Sequence, residues 1–389
     1  MEFALDDDQE ALVELARSIL ADHCGDDQLR AFAASGAPFD ARLWQLLAEA
    51  GLIGVGIAEA KGGTGFGMVE AALLLECAGA ALAPVPLRET LIGARTLIMA
   101  GAMAGDAHGD LIAQAASGKA ILASACDEVG NAWQTPAMQA RRDDAGGWQL
   151  DGERSAVAWG MEAQALLISA WIESEGGAGL FVVPADPAGV HRQAQAGTDP
   201  TPLALLTLAN VRLPASALLD CGTGPADLLR WHVGQMRVGL AASQLGIAGE
   251  ALRRTAAYTS ERVQFGRPVG SMQAVQQRAA DAYIDVEAMR STLWRAAWLI
   301  DQGLCDDAEI AVAKYWAAIG GHRVTHTAQH QHGGMGADVT YPIHRYFLAA
   351  KAVETALGGT QPMLAELGSA IATGAARRLS AIGGGFDAL

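Results

Sequence analysis

The stretch at residues 258–276, YTSERVQFGRPVGSMQAVQ, decides how the rest of the chain is read. A long helical pattern runs into it and another runs out. Between them Arg262 stands three residues before Phe265-Gly266, so a short loop presents one guanidinium, with an aromatic ring and Gln273 close behind. A planar guanidinium pairs bidentately with phosphate oxygens, which makes Arg262 a candidate anion ligand. The same residues also read as a plain helix–turn–helix connection with Arg262 in solvent. Local chemistry alone leaves both readings open.

Downstream, Val275, Ala279, Ala282, Val286, Met289, Leu293, Ala296 and Ile300 alternate spacings of four and three, the seam of a bundle helix. A further helix over residues 307–330 is rich in alanine and is closed by GGMG at 333–336. Upstream, the period falls to two. WQLDGE (148–153), ALLISAWI (165–172), GLFVVPA (179–185) and LLTLANVRLP (205–214) read as short strands separated by Gly, Pro and Asp. They predict a small antiparallel barrel or sandwich ending near Asp220.

Before these strands the chain reads as helical. Asp6, Asp7 and Asp8 favour the start of a helix carrying Leu12, Leu15, Ile19 and Leu20. A second helix, from Leu43, is ended by Gly51, and GGTGFG (62–67) leads into MVEAALLLECAGAALA. That glycine cluster superficially resembles a phosphate loop, but no strand precedes it in a βαβ context. A turn that connects helices or shapes a substrate entrance is the better reading. The expected fold is α+β: an N-terminal helical domain (1–120), a central β-barrel domain (121–222) and a C-terminal helical bundle (223–389).

The net charge of −16 over 389 residues argues against nucleic-acid binding, which needs a basic footprint. It leaves room for one anionic cofactor held by a few arginines. The N-terminus, MEFALDDDQE, lacks the basic start and apolar core of a signal peptide, and no apolar run is long enough to span a membrane. Cys24, Cys77, Cys126, Cys221 and Cys305 are scattered without CxxC spacing, as reduced thiols of a cytoplasmic protein are. His322, His326 and His330 share a helix face, but no acidic residue sits in register, so no metal site is expected. Arg295, beside Trp294, is expected to flank the bundle.

The order of helices, small β domain and bundle, with its R-x-x-F-G loop, resembles the acyl-CoA dehydrogenase family over nearly the whole chain. Glu59 with GGTG, the segment ERVQFGRPVGSMQAVQ, and the turn from His330 to Gly336 carry the resemblance, with His330 where the family has glutamine. It implies FAD-dependent α,β-dehydrogenation of an acyl-CoA thioester, with electrons passed to an electron-transferring flavoprotein. It also implies that Arg262, Phe265, Gln273, His330, Gln331, Gly333 and Gly334 hold the adenine and pyrophosphate half of a neighbouring subunit's FAD.

The family pattern fails elsewhere. Its E-G-T segment is matched by Leu357-Gly358-Gly359-Thr360, so Gly358 stands where the catalytic carboxylate belongs. The alternative base position, on the helix before the R-x-x-F-G loop, falls on Met236. Neither residue accepts a proton. The T-E-P…G-S-D segment is reduced to CDEVGN at 126–131 and W-I-T-N to AVAW at 156–159, while Thr135-Pro136 and Arg154 keep the surroundings. Retained cross-subunit elements and eroded flavin-ring elements together suggest a heteromer. A second acyl-CoA dehydrogenase-like subunit would carry the ring and base in an α2β2 heterotetramer, as in bacterial degradation of steroids and other bulky acyl-CoAs. Two alternatives remain: a self-sufficient homo-oligomer using Glu354 or Asp338 as a displaced base, or a silent scaffold. Glu354 lies one helical turn before Gly358, a rise of about 6 Å, and also reads as a partner for Lys351.

Overall fold

The computed structural model describes residues 4–104, 108–128, 132–304 and 307–374. Cys305, the Val129-Gly130-Asn131 part of the eroded β segment, and residues 375–389 of the expected bundle lie outside the described residues.

Asp6 opens the first helix with a capping box. Its carboxylate accepts from the Gln9 amide at 2.8 Å, and Gln9 Oε1 accepts from the Asp6 amide at 3.2 Å. Helix α1 (Asp7–His23) comes next, then α2 (Asp26–Ser35) and α3 (Ala41–Glu49), with Gly51 in the left-handed conformation just beyond. The GGTGFG segment is a close-packed connection: a Cβ on Gly63 would collide with the Ile57 carbonyl. It delivers the chain into α4 (Met68–Ala80), then α5 (Leu87–Ala104) and α6 (Gly109–Ala116). The first amides of α4 are capped from far away in sequence. Asp301 accepts from Met68 N at 2.6 Å and from Val69 N at 2.9 Å.

The sheet comprises β1 (Leu122–Ala125), β2 (Gln139–Arg142), β3 (Trp148–Ala158), β4 (Ala165–Ile172), β5 (Gly177–Pro184), β6 (Val190–Gln195), β7 (Leu203–Leu213) and β8 (Leu218–Leu219). Its main path runs β6-β7-β3-β2-β4-β5-β8, with β1 on β4. The expectation of an antiparallel sheet is corrected here. β4 takes both β1 and β2 in parallel, and the path is open, since β6 and β8 form its ends. Alternating burial looks the same whichever way a neighbouring strand runs, so periodicity could not reveal this.

Helix α7 (Pro225–Glu261) is the axis of the molecule: every residue from Val233 to Ala248 is buried. Such a helix packs on all sides. Against α4 it approaches backbone to backbone. A Cβ on Gly246 would run into the Glu76 carbonyl, and one on Gly79 into that of Ser243. Beyond α7 come a hairpin of β9 (Val263–Gln264) and β10 (Arg267–Pro268), then α8 (Gln273–Asp301), α9 (Asp307–His332), α10 (Ile343–Thr355) and α11 (Thr360–Ala372). The α8 seam is buried at Ala282, Val286, Met289, Leu293 and Ala296, and half-exposed at Val275, Ala279 and Ile300. Each fully buried Leu contributes about 1.5–3 kcal/mol. Arg295 pairs with Glu309 at 2.8 Å on the bundle flank.

Candidate functional site

Two segments of the bundle come together at one end. Arg262 caps α7, and the hairpin turn after it carries Phe265 (φ 53) and Gly266 (φ 78). Arg262 and Gln273 are exposed, and Phe265 is 93% exposed, an aromatic ring left bare by the described residues. The end of α9 lies alongside. Gln331 donates to the Val275 carbonyl at 3.0 Å, and His332 stacks on Tyr258 with ring centroids 4.4 Å apart. His330 is exposed, Gly333 has φ 58, and a Cβ on Gly334 would meet none of the described residues within 4 Å.

Three buried polar atoms on this turn, Gln329 Oε1, Gln331 Oε1 and His332 Nε2, have no partner among the described residues. Leaving such an atom unpaired costs about 1–3 kcal/mol, and buried polar groups in folded proteins almost always find a partner. His332 belongs to the turn from His330 to Gly334 that the resemblance marks as a cofactor contact.

The region expected to serve the chain's own flavin ring is different in kind. Arg154 is fully buried and spoken for: it donates to the Ala125 carbonyl at 3.2 Å and the Ser169 carbonyl at 2.7 Å, and pairs with Glu128 at 3.0 Å. Ala156 (φ 55) donates its amide to Gln195, and Trp159 (φ 58) is buried. Thr135 is tied into a turn by Ala132.

At the position where the resemblance expects a base, Gly358 has φ 102, and a Cβ there would lie 2.7 Å from Met363 Cε and 3.7 Å from Arg237 Nη2. The loop holding it is gripped from three sides. Arg237 donates to the Leu357 carbonyl at 3.0 Å and forms a bidentate pair with Glu366 at 2.7 and 2.8 Å. Asp127 accepts from the Leu357 amide at 2.7 Å. Lys314, wholly buried in α9, donates to the carbonyls of Val353 and Glu354, each at 3.1 Å. Burial, with Arg237 adding to it, pulls the Lys314 ammonium down to about 7. Met236 is buried in α7. Sequence reasoning missed this cluster. A lone lysine in the apolar run AEIAVAKYWAAI was its one local signal, and the Arg237–Glu366 pair left none.

The displaced-base candidates are otherwise engaged. Glu354 accepts from Lys351 Nζ at 2.6 Å and lies 3.2 Å from His322 Nδ1. Asp338 accepts from the Thr340 amide and hydroxyl, both at 2.8 Å, which holds its carboxyl below the usual range. Neither lines the cavity of about 330 Å3 between α2, α4, α5, α7 and α10. Leu75, Leu82, Val85, Ile247, Leu348 and Val353 form its apolar wall, and Arg88, Glu89, Asp199, His344 and Arg345 also line it. His322 and His326 stack 4.2 Å apart, and among the described residues no group of metal-ligating side chains assembles. No helix among them is long and apolar enough to cross a membrane.

A helical domain, a mixed sheet and a helical bundle, with a cavity between the first and last and a receptive turn at the bundle end, are the makings of a flavin-dependent dehydrogenase. Comparison with known proteins narrows this: the chain belongs to the acyl-CoA dehydrogenase family. The family models for the acyl-CoA dehydrogenase N-terminal and C-terminal domains match residues 6–106 and 226–372. The chain is 38% identical to acyl-CoA dehydrogenase FadE27 of Mycobacterium tuberculosis (strain ATCC 25618 / H37Rv), over 86% of this chain and 89% of that one. Among solved structures it resembles a variant of the Tcur3481-Tcur3483 steroid ACAD, with 42% identity and a TM-score of 0.88, covering 95% of this chain and 99% of that one. It is also similar to the ChsE4-ChsE5 complex from Mycobacterium tuberculosis, with 37% identity, TM-score 0.86, and 96% and 99% covered.

The family implies FAD, and the residues of this chain fit only part of it. The turn with Gln329, Gln331 and His332 offers unpaired polar atoms beside an open glycine pair and an exposed guanidinium. The Arg154 side offers a guanidinium already saturated by its own chain.

Proposed function

We propose that this chain is a subunit of a flavin-dependent acyl-CoA dehydrogenase that completes the FAD site of a second, acyl-CoA dehydrogenase-like subunit and has no catalytic base of its own. The observation that carries this reading is Gly358, with no side chain and a neighbourhood already taken by Met363 and Arg237. Bound FAD supplies the two-electron acceptor for α,β-dehydrogenation. The work of this chain is to hold it: Arg262 pairs with the pyrophosphate, Phe265 covers the adenine side, and Gln273, His330, Gln331, Gly333 and Gly334 form the wall behind. The partner subunit supplies the carboxylate that removes the α-proton, and an electron-transferring flavoprotein takes the electrons onward.

The similarity to a steroid ACAD and to the ChsE4-ChsE5 complex supports a heteromer acting on a bulky, steroid-derived acyl-CoA. The test is flavin stoichiometry and native mass of the chain expressed alone and with its genomic neighbour of the same family. One FAD per mixed pair, with little in the lone chain, is expected. One FAD per chain in an active homo-oligomer overturns the reading, and inactivity with every partner makes the chain a silent scaffold.

A further inference from the structure

We draw no further inference here: the strongest candidate, the bare surface patch that runs from the β9–β10 hairpin along the first turns of α8 and leaves Arg267, Arg278, Tyr283 and Ile284 exposed, carries nothing, because it adjoins the cross-subunit site already described, Glu261 and Asp281 flank its arginines, and nothing in the structure shows what covers it.

Discussion

Replacing Gly358 with glutamate puts a carboxylate where the resemblance to the family expects a base, and the surroundings of Gly358 set the cost of doing so. The backbone there has φ 102, outside the range L side chains favour. Holding a substituted residue in such a conformation costs roughly 1–3 kcal/mol. The new Cβ would come within 2.7 Å of Met363 Cε, the far end of a fully buried side chain. Turning that side chain away from its rotamer costs about 0.5–1.5 kcal/mol more. The expected loss is therefore roughly 1.5–4.5 kcal/mol, nearly all of it already present in Gly358→Ala. The added carboxylate would fall near Arg237, which Glu366 already grips with both oxygens. A guanidinium at that range lowers a carboxyl pKa and weakens it as a base. Urea unfolding of both variants measures the stability loss, and bleaching of oxidised flavin by an acyl-CoA measures activity. Both variants should lose similar stability, and neither, as a lone chain, should gain flavin reduction. A Gly358→Glu chain with wild-type stability that reduces its own flavin would refute the reasoning.

Lys314 predicts a pH dependence. Its folded value of about 7 lies below the ordinary 10.5, so between the two the unfolded chain holds a proton that the folded chain has released. Stability should rise with pH across that window, by up to about 1.4 kcal/mol per pH unit, and Lys314→Met should flatten the slope in melting curves. A slope unchanged by the substitution would place the ammonium's titration elsewhere. Arg262→Ala should lower FAD retention by the complex, read from the flavin-to-protein ratio after gel filtration; unchanged content sinks the cross-subunit role. Phe265→Ala, at a 93% exposed position, should leave the lone chain's stability within about 0.5 kcal/mol while weakening the same retention. Asp301→Ala removes the cap of α4 and should cost about 0.5–2 kcal/mol in urea, with an unchanged m-value.

The parts of this molecule that were legible in its sequence are those written in local periodicity. The α8 seam, the stop at Gly51 and the turn after α9 come from spacing and glycine. What stayed hidden depends on partners distant in the chain. Arg237 and Glu366 are 129 positions apart, and Asp127 meets the Leu357 amide across 230. Nothing in the neighbourhood of any of them announces the pairing. The parallel placement of β1 and β2 on β4 was hidden for a related reason: strand direction leaves no mark on the alternation of side chains. Gly358 drew notice through the resemblance, but the filling of its surroundings by Met363 and Arg237 left no trace in the sequence around it.

The loop around Leu357 is held by Asp127, just past β1, by Arg237 from α7 and by Lys314 from α9. Asp127 ties the sheet to this loop, while Arg237 and Lys314 hold it from within the bundle. Neither side can be excised cleanly, because a fragment ending before residue 223 would carry Asp127 with no Leu357 amide to accept from, and the bundle alone would lose the acceptor for Leu357 N. The chain should therefore resist division by limited proteolysis, and its amides on either side of that loop should exchange together as one cooperative block.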